Sequence, residues 1–217
     1  MGNAAEDAEV RNLDRRQNRA DSDFVNRHVW RANFLWEMPF GKGWHPVAKA
    51  LLTRWSLGGI LQGNTGVFAT PRVQGGTFNG RPDVVVGVDW RIADGDRAAL
   101  AQRTGDASYL DRSQRWFNPL AFAVVNVDAG RTGNAGRNLL IGPGFFNFDT
   151  VVSKRFHMPR LPETAMATVR VEAFNLTNHV NFNARQMNVN INSSTAGSFS
   201  QILGNPRQLQ FGFRLDF

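Results

Sequence analysis

The residue types that most often carry protein chemistry occur in this chain, but they are not grouped for it. The chain has no cysteine nucleophile, and serines such as Ser153 lack the glycine-flanked elbow that exposes a catalytic serine. The histidines are scattered without paired metal-ligand spacing; they are His28, His45, His157 and His179. We therefore predict no catalytic residue, no metal site and no cofactor, and we expect that the protein is not an enzyme.

A glycine-rich stretch, from Gly130 to Gly144, suggests a loop that holds a phosphate group with its backbone amides. It lacks the Gly-Lys-Ser/Thr ending that such a loop requires. Gly142, Pro143 and Gly144 instead predict a turn that leads into a strand.

The chain is basic, with 25 Lys and Arg against 18 Asp and Glu, a formal net charge of +7. A nucleic-acid groove would need basic residues clustered with exposed aromatic residues on one surface. The arginines are instead spread along the chain, and the arginine-rich stretch 81–115 is predicted to be a solvated loop. We expect no nucleic-acid partner.

The elements that position these residues are predicted by strict alternation at the carboxy-terminal end. From Leu209 to Phe217 every second residue is apolar, and Gln210, Gly212, Arg214 and Asp216 lie between them. This pattern predicts a strand with one apolar face. A strand of about ten residues that ends on an aromatic residue is typical of a transmembrane β-barrel.

Further segments alternate in the same way, at 28–40, 55–67, 146–156 and 165–173. In each of them one face is apolar and the other is mostly polar. Ile60 is an exception on a polar face, whereas Lys154 lies on an apolar face near its end, where we expect it to snorkel to a membrane interface.

These faces predict two surfaces. The side chains predicted to face lipid are Trp30, Phe34, Trp36, Trp55, Leu57, Leu61, Phe146 and Phe148. The side chains predicted to face the barrel lumen are Arg31, Glu37, Arg54, Asp149, Arg170, Glu172 and Arg214. The tryptophans are predicted to form a membrane girdle and not a sugar-stacking platform, because they lie on apolar faces. Arg170 and Glu172 are predicted to join ion pairs along the lumen wall.

Short and long connections alternate between the predicted strands. The connections 41–50 and 157–163 are short and carry glycine or proline breakers, whereas 1–27, 71–144 and 178–207 are long. In outer-membrane barrels the short turns are periplasmic and the long loops are extracellular. The predicted fold class is therefore all-β, an antiparallel transmembrane β-barrel segment of about five strands with long extracellular loops.

The predicted strands are too few to close. Bacterial single-chain barrels have an even number of strands, at least ~8, so we expect an incomplete barrel whose other strands are missing from this sequence. We divide the chain into an extracellular loop remnant at 1–26 and a barrel part at 27–217. No run approaches the ~18 apolar residues of a membrane helix, and the charged stretch 1–20 is not expected to be a signal peptide.

The succession of motifs from about Asp21 onward resembles the carboxy-terminal part of TonB-dependent outer-membrane receptors of the Oar-like group. The most specific pieces are the glycine-rich loop and strand Gly136–Lys154, the motif EAFNLTNHVNF at Glu172–Phe182, and the ending Pro206–Phe217. The resemblance implies a plugged barrel of about 22 strands that takes up a bulky substrate with energy from the TonB system. The sequence leaves open whether that substrate is an iron chelate, a saccharide or a peptide.

The resemblance also implies partners. They are outer-membrane lipid, the missing amino-terminal strands and plug, the TonB system through that plug, and the outer-membrane insertion machinery. The apolar residues of the last strand are similar to the assembly signal that this machinery recognises; they are Leu209, Phe211, Phe213, Leu215 and Phe217. We expect either an incomplete gene product or one piece of a split receptor in the bacterial outer membrane.

Two alternatives remain open at this point. A soluble β-rich binding module, such as a sandwich, would pack its apolar faces against each other. A small outer-membrane hydrolase barrel would need polar catalytic residues that converge near the rim, and the sequence shows none.

Overall fold

The computed structural model describes residues 16, 18–39, 45–74, 80–126, 131–158 and 165–217. The strands in these ranges are β1 (Val29–Glu37), β2 (Trp55–Asn64), β3 (Phe68–Ala69), β4 (Asp83–Val84), β5 (Phe122–Ala123), β6 (Leu140–Ile141), β7 (Phe145–His157), β8 (Met166–Phe174), β9 (Asn181–Phe182), β10 (Ile202–Leu203) and β11 (Gln208–Asp216). The α-helices are α1 (Pro46–Leu52) and α2 (Arg97–Thr104), and short 3-10 turns lie at Asp94–Asp96, Ala107–Leu110, Pro119–Ala121 and Ala184–Gln186.

The long strands form one five-stranded sheet in the order β1-β2-β7-β8-β11, and every neighbouring pair is antiparallel. Each of them lies in one of the segments predicted from alternation, with ends shifted by up to three residues. The predicted antiparallel β fold is therefore confirmed. The sheet is open: among the described residues β1 pairs only with β2, and β11 pairs only with β8.

The connection between β1 and β2 differs from the turn predicted at 41–50. Residues 41–44 lie outside the described part of the chain. The helix α1 begins at Pro46, so the predicted turn is wrong for residues 46–50. Proline suits the first position of a helix, because its fixed φ angle is helical and its missing N–H would have no partner there. At the other end, the backbone N–H and the hydroxyl of Thr53 donate to the carbonyl of Lys49 at 3.2 and 2.6 Å.

Most of the other predicted short turn, at 157–163, lies outside the described residues, as do residues 1–15 and 17 of the predicted loop remnant at 1–26. No helix among the residues that the structure describes is long and apolar enough to cross a membrane.

The chain forms two compact units. The sheet unit consists of His28–Asn64, Phe145–Asn181 and Gly204–Phe217, and it holds the five long strands. The loop unit consists of the described residues of Met1–Arg27, Thr65–Gly144 and Phe182–Leu203. These units interleave along the sequence, so the predicted domain boundary near residue 26 stays a prediction.

The loop unit has a hydrophobic core of its own. Phe117 and Leu140 are fully buried, and Phe122 and Met187 pack with them. Phe117 meets Phe122 edge to face at 6.1 Å between ring centroids. Because apolar side chains from distant parts of the sequence share this core, the long connections are folded structure and not irregular loop.

Candidate functional site

One face of the five-stranded sheet is apolar from edge to edge. Side chains directly opposite each other in an antiparallel ladder share a face. One row of paired residues crosses all five strands. It runs from Trp36 of β1 through Leu57 of β2 and Val152 of β7 to Val171 of β8 and Phe211 of β11. We call the surface of this row and its alternate neighbours the apolar face.

All side chains predicted to face lipid lie on the apolar face, as do the first four residues of the predicted assembly signal. By strand they are Trp30, Phe34 and Trp36 of β1, Trp55, Leu57 and Leu61 of β2, Phe146 and Phe148 of β7, and Leu209, Phe211, Phe213 and Leu215 of β11. The prediction that strands distant in sequence present one continuous apolar surface is therefore confirmed. What this face contacts is a separate question.

Glycines in β2 receive aromatic rings from both neighbouring strands. A Cβ atom at Gly63 would lie 2.1 Å from the Trp30 ring, and a Cβ at Gly59 would lie 2.6 Å from the Phe34 ring and 3.1 Å from the Phe148 ring. Trp30 also contacts Phe146, at 6.0 Å between centroids. The missing side chains thus leave room for large rings against the backbone of β2.

The other face of the sheet, the polar face, carries most of the side chains predicted to face a lumen. The pairing places Arg31, Glu37, Asp149, Arg170, Glu172 and Arg214 there. Ile60 lies among them, as predicted, and is half exposed. The Ser56 and Ser153 hydroxyls are 2.6 Å apart on this face, which agrees with the register.

Ion pairs on the polar face run mainly along strands. Arg170 pairs with Glu172 of the same strand, and Arg214 pairs with Asp216 of its own strand at 2.7 Å. Arg155 reaches Glu37 at 3.2 Å. Apart from Glu172, whose side chain is 17% exposed, these side chains are largely exposed, so the pairs contribute only a small stabilisation, ~0–1 kcal/mol each.

Two basic residues do not occupy the positions predicted for them. Arg54 lies before β2 with a φ of 60°, so no ladder sets the direction of its side chain. Lys154 is only 3% exposed and does not snorkel outward. Its ammonium group donates to the carbonyl of Thr53 at the end of α1, and it lies 5.5 Å from the centre of the Trp55 ring and 5.1 Å from that of Phe156.

Asparagines in the motif EAFNLTNHVNF tie the end of the sheet together, a role that the sequence analysis missed. The side-chain amide of Asn175 donates to the carbonyls of His179 and Asn205, both at 3.0 Å. The backbone N–H of Asn175 donates to the carboxylate of Asp149 at 2.8 Å. Asn181 is buried and exchanges two 2.8 Å bonds with the backbone of Phe146, as a strand partner would. Asn175 has a φ of 49°, in the left-handed region of the backbone, which asparagine adopts more readily than most other residues.

Arg115 organises the loop unit from a buried position. Its guanidinium donates to the carbonyls of Ala196 and Ser194, both at 2.7 Å, and to Ser108 and Asp106, both at 2.8 Å. The hydrogen bonds from Ser108 and then from Arg115 lower the pKa of Asp106 from 3.8 to about 2. This lowered pKa stabilises the fold above pH 3.8, and the contribution is lost as the pH falls through about 2.

We expect Arg115→Ala to destabilise the loop unit by about 3 kcal/mol, because it removes the buried guanidinium that donates to the carbonyls of Ala196 and Ser194 and to the Asp106 carboxylate. The rate of limited proteolysis in this unit measures the loss. Arg131→Ala, which removes an exposed ion pair with Asp83, is the matched control and should change the rate little. Equal rates for both variants would contradict the organising role of Arg115.

Among the described residues, no three His, Cys, Asp or Glu side chains lie close enough to hold a metal ion together. The absence of enzyme activity and of a cofactor remains a prediction.

Comparison with known proteins agrees with the geometry of the sheet. The sequence profile of a family described as "Outer membrane beta barrel domain" matches residues 2–210. No curated protein and no solved structure matches the chain.

Proposed function

Because this chain belongs to the outer membrane beta barrel domain family, we propose that it forms part of the wall of a TonB-dependent receptor that takes up a bulky substrate. The protein is a β-barrel protein of the bacterial outer membrane and is associated with the lipid of that membrane. The alternative of a soluble sandwich is therefore wrong.

We assign the apolar face to lipid and the polar face to the barrel lumen. In a membrane barrel the outward side chains must be apolar, whereas the lumen side holds polar and charged groups. The register supports this assignment, because it collects Trp30, Leu61 and Phe213 on one face and Asp149 and Arg170 on the other.

The open edges of the sheet are the observation that carries the receptor proposal. Within the described part of the chain one edge of β1 and one edge of β11 have no strand partner; unpaired backbone groups there would each cost several kcal/mol in hydrocarbon, so lipid requires that further strands cover both edges. The sheet is then one arc of a larger barrel. Barrels of about 22 strands are the plugged transporters, and the resemblance to TonB-dependent receptors points to the same size class.

The folded loop unit also supports a receptor. The long connections β2 to β7 and β8 to β11 supply this unit, and by the loop-length rule such connections are extracellular. A connection with its own buried core can hold side chains in fixed positions, which ligand capture requires.

Uptake by living cells tests the proposal. In the source bacterium we expect deletion of this gene to abolish uptake of an iron chelate, a saccharide or a peptide. Loss of TonB should abolish uptake of the same compound, and restoring the gene should rescue uptake only in cells that have TonB. Uptake that depends on the gene but persists without TonB would make the barrel a passive channel and contradict the proposal. Unchanged uptake of all three classes would contradict it as well.

A further inference from the structure

The loop unit contains a cavity of about 390 Å³ between two tryptophans. Its walls include Trp90, Arg91, Ile92, Arg97, Trp116 and Ile141, and we call it the Trp90–Trp116 pocket. Its volume lies in the range of about 300–1,000 Å³ that small-molecule sites occupy.

The apolar part of the pocket offers rings and aliphatic chains without free polar atoms. The indole N–H of Trp116 already donates to the carbonyl of Ile141 at 2.8 Å, so Trp116 presents its ring alone. Ile92 and Ile141 add aliphatic surface. A ligand in this pocket needs a flat apolar body, because hydroxyl groups buried against these walls would lose their hydrogen bonds to water.

The polar part of the pocket is cationic and contains an unused donor. The Arg97 side chain is 9% exposed, and its Nε has no hydrogen-bond partner among the described residues. Nη1 of Arg97, by contrast, donates to the carbonyls of Tyr109 and Arg115 at 3.0 and 2.9 Å. A buried guanidinium donor without an acceptor is costly, and a ligand oxygen at Nε would remove that cost.

The lone carboxylate of the pocket is already engaged. Both oxygens of Asp94 accept from Arg112, and Arg97 Nε forms an ion pair with Asp94 Oδ1 at 3.5 Å that lacks hydrogen-bond geometry. Arg91 lies with its guanidinium 4.5 Å from the centre of the Trp90 ring. The lining of the pocket therefore contains three arginines and one carboxylate, that of Asp94. Burial, and next the nearby Arg112, lower the pKa of Arg97, and the carboxylates of Asp94 and Asp111 oppose this shift only in part.

We propose that the Trp90–Trp116 pocket binds a small aromatic carboxylate, with the ring between the apolar walls and the carboxylate at Arg97 and Arg91. This proposal deepens the proposed receptor function, because it names a ligand class for the extracellular side. An acidic sugar has the charge but not the apolar body, and inorganic phosphate has neither ring nor apolar surface.

Isothermal titration calorimetry with the full chain, purified from outer membranes in detergent, tests the pocket. The probe is 2-naphthoate, and protein-free micelles give the blank. We expect saturable binding that is at least about tenfold tighter than binding of the neutral 2-naphthalenemethanol, because a charge-assisted hydrogen bond contributes at least that factor. Galacturonate and phosphate should not compete.

Substitutions locate the binding in the pocket. Arg91→Gln removes an exposed charge, and Arg97→Lys keeps a cation but removes Nε; each should weaken 2-naphthoate binding about tenfold. Arg103→Gln removes an exposed charge elsewhere on α2 and should leave the affinity unchanged. Unaltered limited-proteolysis patterns confirm that the variants are folded.

Three results would overturn the proposal: no saturable binding, equal affinity in all variants, or equal binding of the neutral compound, the acidic sugar or phosphate. Failure of the receptor function is a separate outcome. Binding in the calorimeter without TonB-dependent uptake would support the proposed ligand site and contradict the proposed receptor function. TonB-dependent uptake without 2-naphthoate binding would support the receptor function and contradict the ligand site.

Discussion

Deletion of Phe217 is expected to lower the amount of the protein in the outer membrane severely while synthesis stays unchanged. The Phe217 side chain is 99% exposed and follows the last ladder residue, so its loss removes no packing within the described chain. We expect its roles to be recognition by the insertion machinery and contact with the membrane interface. Withholding a Phe side chain from an apolar environment costs about 1.5–3 kcal/mol, roughly ten- to a hundredfold in an equilibrium.

Fractionation of cells and immunoblotting of the outer membrane measure this effect. Phe217→Asp should act like the deletion, since it places a charge where an aromatic residue would lie at the interface. Phe217→Trp keeps an aromatic ring and should retain most of the wild-type level. Asp216→Asn, one residue earlier, is the control for disturbance of the chain end. Equal outer-membrane amounts of the wild type and Phe217→Asp would leave no assembly role for this residue.

Phe211→Arg is expected to destabilise the protein in the membrane by ~2–4 kcal/mol, the cost of a basic side chain on the lipid side of a barrel near mid-membrane. Phe211 lies near the middle of β11, opposite Val171 on the apolar face, and its side chain is 75% exposed in the open sheet. Urea unfolding of the protein reconstituted in lipid vesicles measures the change.

The neighbouring residue supplies a matched control, because successive side chains of a strand point to opposite faces. Gln210→Arg places the same charge on the polar face, opposite Glu172, and should change the stability by less than about 1 kcal/mol. Comparable losses for the two variants would mean that the two faces are not lipid and lumen. The comparison therefore tests the assignment of the faces apart from any transported substrate.

The strands and their faces could be predicted from the sequence because the side-chain direction in a strand alternates with a period of two. Every long strand found lies in a segment where this alternation is visible, and one apolar face unites residues as distant as Trp30 and Phe213. The position of Ile60 on the polar face followed from the same rule. Which strand lies beside which followed from connectivity, since each long strand pairs with the next one along the chain.

The loop unit could not be predicted in the same way. Phe117 and Leu140 belong to no periodic pattern, yet both are completely buried in one core. Arg97 and Arg115 read as solvated residues of an arginine-rich loop, whereas the fold buries both of them. The partners of Arg115 at Ser194 and Ala196 lie some eighty residues further along the chain.

This difference has a physical cause. Alternation is a local property of the backbone, so a short stretch of sequence contains it. The burial of an arginine and the walls of the Trp90–Trp116 pocket depend on which distant segments meet, and no local pattern records that meeting. The two faces of the sheet could therefore be predicted from the sequence alone. The loop core, the role of Arg115 and the pocket depend on the tertiary structure.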